Sequence, residues 1–177
     1  MNYFQLVDYL LEKYGEAKHD YFCNETCKTR NPKVSRAKEG LECHHIAEYE
    51  AVLLSTTTGA KMYSYEYQLA ENLVYCNLIE HLLLHIKIVE EKGKKDKLLI
   101  EGMGGVKFIS RKLNDLYNGK PIQKDYLKIQ FDLIKNNFDD YISVLKYAIN
   151  LKNANISKSM LSCGWFGNKI NKVYKEL

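Results

Sequence analysis

The sequence predicts an α+β protein, mainly helical, in which two short strands precede a helix. Three observations carry this expectation. A strand-like run covers residues 41–46, bounded by Gly40. A second apolar run, Leu73–Cys76, leads into Asn77 and a helix-period segment from Leu78 to about Glu91. From residue 106 onward, apolar residues recur almost entirely at helical spacing, the pattern of helices packed on one face.

Tyr3, Phe4, Leu6, Val7, Leu10, Leu11 and Tyr14 form the apolar stripe of a first helix, with Gly15 as its stop. Residues 16–40 read as irregular, punctuated by Pro32 and Gly40. After the 41–46 strand, Tyr49–Leu54 fits a helical turn or a strand, and residues 55–59 read as a loop. Asn77 is a natural N-cap for the helix that follows the second strand, and the helix is expected to stop before Lys92-Gly93-Lys94-Lys95. Gly102, Gly104 and Gly105 mark a turn, without the spacing of a dinucleotide-binding fingerprint. Helices are then expected over 106–117 and, after a turn at 118–121, as one long element over 124–151. The tail reads as two short helices around Gly164-Trp165-Phe166-Gly167, with Ser157 as a cap. For 154–177 a plain packing element is expected, with a small DNA-binding helix-turn-helix as the alternative. The organisation read from the sequence is therefore 1–40, a helix and a basic cysteine-containing loop; 41–92, the strand-strand-helix core; and 93–177, a helical region.

With 177 residues, 46% apolar and 27% charged, the composition is that of a globular protein able to bury a sizeable core. Asp8, Glu12 and Lys13 interrupt the first segment, so it is neither a secretion signal nor a membrane span. Five cysteines, an odd number, are expected to be reduced thiols in a cytoplasmic protein. The net charge of +4 is compatible with a polyanionic partner. Five of the positive charges, Lys28, Arg30, Lys33, Arg36 and Lys38, precede the first strand. They form either a solvated loop or a contact to a phosphate backbone.

Four of the five histidines lie in two places: His44 and His45 at the end of the first strand, and His81 and His85 on the helix. Side chains four apart on a helix project from one face, about 5–6 Å apart at Cβ, which suits two ligands of one metal ion. Neighbours on a strand point to opposite faces. One of His44 and His45 can therefore supply a third ligand while the other approaches a water molecule.

Cys43-His44-His45-Ile46, then Glu71-Asn72-Leu73-Val74, then His81 and His85, within a strand-loop-strand-helix frame, resembles the HNH endonucleases of the ββα-metal superfamily. The two helix histidines are similar in spacing to those of the colicin-type DNases. The resemblance covers about residues 40–90 and implies an ββα-metal nuclease centre embedded in a mainly helical protein. It implies that His44, His81 and His85 hold one divalent metal ion, that His45 is the general base, and that Asn72 braces the loop between the strands and helps to hold His45. The expected reaction is hydrolysis of phosphodiester bonds in DNA, most simply double-stranded, by a one-metal mechanism. The alternatives are an RNase or nonspecific nuclease on the same site, or a non-catalytic nucleic-acid-binding protein with a structural metal. His44 stands where many family members carry Asp, and an imidazole-rich site favours Zn²⁺, Ni²⁺ or Mn²⁺ over Mg²⁺. The 26 residues between His45 and Asn72 make a longer connection than the compact versions of the motif. Paired cysteines around such sites also suggest a structural zinc held by Cys23, Cys27, Cys76 and either Cys43 or Cys163. Buried free thiols are the competing reading.

Overall fold

The computed structural model describes residues 1–93 and 101–177. The lysine-rich helix stop expected at 92–95 is thus seen only to Gly93; Lys94 and Lys95 lie outside the described residues. The architecture is mainly helical with one small antiparallel sheet. Among the described residues no helix is long and apolar enough to cross a membrane.

Helix α1 (Tyr3–Tyr14) begins with a capping box between Asn2 and Gln5 and ends at Gly15. Residues 16–41 follow without regular helix or strand apart from two short 3₁₀ turns. Strand β1 (Glu42–His45) pairs with β2 (Leu73–Cys76), with Glu42 opposite Cys76 and His45 opposite Leu73. The connection contains 3₁₀ turns and a one-turn helix, α2 (Thr57–Ala60), where the sequence reads as loop. Helix α3 (Leu78–Lys92) starts directly after β2. Asn77 caps it and Glu80 returns the capping box, an arrangement that stabilises a helix start by about 1 kcal/mol. Glu80 also accepts from Lys13 and Tyr14, joining α3 to α1.

Side-chain alternation gives the sheet two different faces. Val74 and Cys76 pack with Tyr3, Leu6, Val7 and Leu10 of α1 and with Leu84 and Ile88 of α3. Leu73 and Tyr75 pack on the other side, against Tyr21, Phe22, Cys27 and Val34 of the irregular segment. Helix α3 carries a third apolar face, Leu78, Leu82, Ile86 and Val89, buried against the C-terminal helices. At 100° per residue, His81 and His85 fall between this face and the Leu84–Ile88 face. The two histidines are therefore enclosed by packing on either side.

The C-terminal region comprises α4 (Met103–Tyr117), α5 (Asp125–Ile134), α6 (Phe138–Ile149), α7 (Lys158–Leu161) and α8 (Asn171–Glu176). Two of its elements differ from the sequence expectation. Helix α4 begins three residues earlier than 106, so Gly104 and Gly105 lie in its first turn instead of in a turn before it. The long helix expected over 124–151 is two helices. Asn137 leaves helical geometry at ψ 33°, and its side-chain amide donates to Asp140. In the tail, Ser157 caps α7, and Ile170 and Val173 are buried in the main core. Helices α7 and α8 are four and six residues long.

Candidate metal centre

His44 projects from β1 toward α3, where His81 and His85 meet it. The three ring centroids form a triangle with every side 5.1 Å. One donor atom of each ring lies within 4.8 Å of the others. Among the described residues this is the group of His, Cys, Asp and Glu side chains gathered closely enough to hold an ion.

The opposite nitrogens of the His44 and His81 rings are held by the protein, which assigns their inward-facing donors, whereas His85 Nδ1 is buried without a hydrogen-bond partner. Tyr3 Oη lies 2.9 Å from His44 Nε2 and donates to the Ile46 carbonyl. His44 Nδ1 is left buried without a hydrogen-bond partner. His81 Nδ1 is 2.6 Å from Glu42 Oε2, which leaves His81 Nε2. The His85 ring lies against Gly105 of α4, where an added β-carbon would overlap its Nδ1, Cγ and Cε1 atoms, and His85 Nε2 lies 3.4 Å from Glu48 Oε2. Fixing one imidazole nitrogen so that the other faces a metal is the usual outer-shell arrangement of histidine sites.

Burial sets the charge of the cluster. His44 is 1% exposed and His85 7%. Burial, reinforced by the other imidazoles, holds His44 well below the usual histidine range. Burial likewise pushes His85 down to about 3. Both rings are neutral at pH 7, the form that binds metal. The Glu48 carboxyl, 3.8 Å from His44 Nδ1, is raised by burial to about 7, against the opposing pull of His81. Neutral imidazoles, one with an orphaned inward nitrogen, beside a buried carboxyl fit a divalent ion: the ion would supply the partner that the cluster lacks.

Glu42 links this cluster to the C-terminal helices. Its Oε1 accepts from Lys112 Nζ of α4 at 2.6 Å and from Gln130 Nε2 of α5 at 3.2 Å. Burial alone would raise this carboxyl, but the His81 and Lys112 contacts outweigh it and hold Glu42 well below the usual carboxylate range. The fixed charge orients His81. Glu42→Gln is therefore expected to weaken metal affinity by about 10–100-fold without loss of fold, as read by competition titration with a chelating dye.

His45 takes the opposite sheet face, as strand alternation requires. Its Nε2 is 2.8 Å from Gln68 Oε1, while the Gln68 amide nitrogen donates to the Leu54 carbonyl at 3.3 Å. That second bond turns the Gln68 oxygen toward the imidazole, so Nε2 carries the hydrogen and Nδ1 bears the lone pair. Nδ1 is buried and has no hydrogen-bond partner. Burial lowers His45 to about 4; the Gln68 bond opposes this and the charge of Arg30 adds to it. The ring is neutral at pH 7, and an anion placed beside it would raise its basicity toward neutrality.

Asn72 lies in the inter-strand connection and its side-chain amide donates to the Glu66 carbonyl at 2.8 Å. The hydrogen bond that holds His45 comes from Gln68, which corrects the expectation that Asn72 does so.

The basic run divides. Arg30 lies over the Tyr21 ring at 4.6 Å, and Tyr21 in turn lies against His45 with ring centroids 4.3 Å apart. Arg36 is committed to the fold, bonding Glu39 and the Tyr14 carbonyl and stacking on Tyr75. Lys33 lines a cavity of about 700 Å³ together with Lys18, His19 and Arg36. Lys28 and Lys38 are exposed.

The structure does not bring the cysteines together as a zinc site: none belongs to a metal-competent group among the described residues, and all five are free thiols. Cys43 and Cys76 point to opposite faces of the sheet, Cys27 is buried under one face, and Cys23 is exposed. Cys163 sits in the tail, in an isolated bridge with Lys169.

Glu42, Glu48, Gln68, Tyr3, Lys112 and Gly105 were not singled out by sequence. Glu42 alone had a local signal, since it lies two residues before His44 and must share its strand face. No family model matches the chain, and neither the curated proteins nor the solved structures contain a match to it.

Proposed function

We propose that this chain is a metal-dependent endonuclease of the HNH type, hydrolysing phosphodiester bonds in DNA at the His44–His81–His85 centre. The observation that supports it most is the division of labour at the end of β1. His44 joins two helix histidines in a cluster suited to one ion, while the adjacent His45 is held in a single tautomer with Nδ1 bearing a free lone pair. The strand-strand-helix order around these side chains agrees with the ββα-metal frame.

A bound divalent ion would act as a Lewis acid on the scissile phosphate and stabilise charge on the departing 3′-oxygen. The chain's own residues would do the rest. His44, His81 and His85 would hold the ion, with Glu42 and Tyr3 fixing two of the rings. His45 Nδ1 would accept the proton of the attacking water, and Gln68 would hold the imidazole as the proton arrives. Arg30, exposed on the Tyr21 side of His45, would draw the phosphate backbone toward the base. Zn²⁺, Ni²⁺ and Mn²⁺ suit the imidazole-rich donor set better than Mg²⁺.

Supercoiled plasmid and labelled RNA, each incubated with protein and one of these four ions, test the assignment. Nicked and linear plasmid should appear with at least one ion, vanish with EDTA and return when the ion is restored. Cleavage of RNA alone would replace DNA as the substrate. A metal-loaded protein that cleaves neither would leave a metal-binding protein without this activity.

A further inference from the structure

We propose that Glu48 is a fourth ligand of this centre, making the donor set three imidazoles and one carboxylate. The inference rests on the reading of His44, His81 and His85 as a metal site, and goes beyond it. Glu48 sits on the 3₁₀ turn Ile46–Tyr49, which follows β1 without interruption. That turn reverses the chain immediately after His44 and His45 and brings the carboxylate back over the cluster. Its Oε2 is 3.4 Å from His85 Nε2 and 3.8 Å from His44 Nδ1. The second of these is the nitrogen that the Tyr3 contact leaves free on the His44 ring. Donors bonded to one ion at about 2.0–2.2 Å lie about 3–3.5 Å apart around it, so the separations from His85 and His44 need only a small contraction. Glu48 lies outside the group whose donors are all within 4.8 Å of one another and would move toward His81 to join it.

Alternative uses of the carboxylate are poorly supported. It pairs with no lysine or arginine among the described ion pairs, and the groups it faces are the His44 and His85 rings. A largely enclosed carboxylate with no lysine or arginine paired to it is poorly compensated by the protein alone. A divalent cation compensates it fully. With four protein donors, an ion of coordination number five or six still keeps room for phosphate and water, which makes Mn²⁺ and Ni²⁺ better suited to turnover here than a four-coordinate ion.

Cobalt(II) titration followed by visible absorbance tests this, using wild type, Glu48→Gln, Glu48→Asp and His81→Ala. Wild type should bind one Co²⁺ per chain. Glu48→Gln should bind at least about tenfold more weakly and with altered band positions. Glu48→Asp keeps the charge but shortens the reach, so it should also change the bands if the carboxylate is a ligand. Unchanged affinity and spectrum in both Glu48 variants, with binding lost in His81→Ala, would overturn the Glu48 assignment and leave the three-histidine site standing. Absence of Co²⁺ binding by wild type would overturn both. Should the variants fail to fold, infrared difference spectra of wild type with and without Zn²⁺ decide: a shifted carboxylate band is expected, and no carboxylate change would overturn the assignment.

Discussion

His45→Ala is expected to lower plasmid nicking by about 10²–10⁴-fold, the range that one well-placed general base contributes, while metal affinity stays at the wild-type level. The separation follows from the sheet. His44 and His45 are neighbours on β1 but occupy opposite faces, so His45 is not among the three rings close enough to hold one ion. Its contacts are Gln68 and Tyr21. Single-turnover nicking at saturating metal, paired with metal titration of the same sample, reads both quantities. Nicking at the wild-type rate would remove His45 from the reaction. Gln68→Leu should lower the rate in the same direction by less, because the imidazole is retained but its tautomer and orientation are no longer fixed.

A matched pair of substitutions in the first turn of α4 should produce opposite results. Gly104 is exposed and an added β-carbon there meets nothing within 4 Å. Gly104→Ala should therefore stabilise the protein by up to about 1 kcal/mol, the difference in helix propensity between the two residues. Gly105→Ala gains the same propensity, but its β-carbon would occupy the space of the His85 imidazole. Either α4 moves away from α3, opening the main core, or His85 leaves the cluster. The expected outcome is destabilisation of about 1–3 kcal/mol and metal binding weakened by at least about tenfold. Urea unfolding and metal titration of the two variants side by side check this. Equal behaviour of the pair would show that Gly105 does not shape the His85 position.

These two expectations draw on residues of different legibility. The strand-strand-helix frame could be read locally: β2 was expected over Leu73–Cys76 and is found there, and Asn77 caps α3 as its side chain suggested. The histidine spacing on α3 and the alternation at His44 and His45 are consequences of regular backbone periods, so the sequence carries them. The outer contacts are not periodic. Gln68 lies in an irregular connection, Glu48 depends on a 3₁₀ turn, and Gly105 and Lys112 reach the site from a helix that touches α3 only in three dimensions. The break at Asn137 was hidden because the apolar stripe continues from Phe131 and Ile134 to Phe138 and Ile142 on either side of it. The basic run illustrates a different limit. Composition marked five charges alike, whereas only the fold separates Arg36, bonded into the scaffold, from Arg30, which lies beside the His45 face.

The central claim is that His44, His81 and His85 form one divalent-metal site, and counting ions per chain tests it most directly. Native mass spectrometry of the protein dialysed against Zn²⁺, Ni²⁺ or Mn²⁺ should show one ion per folded chain, and a His81→Ala, His85→Ala double variant should show none. Wild-type protein that remains folded and metal-free in the presence of all three ions, or a double variant that retains its ion, would contradict the account.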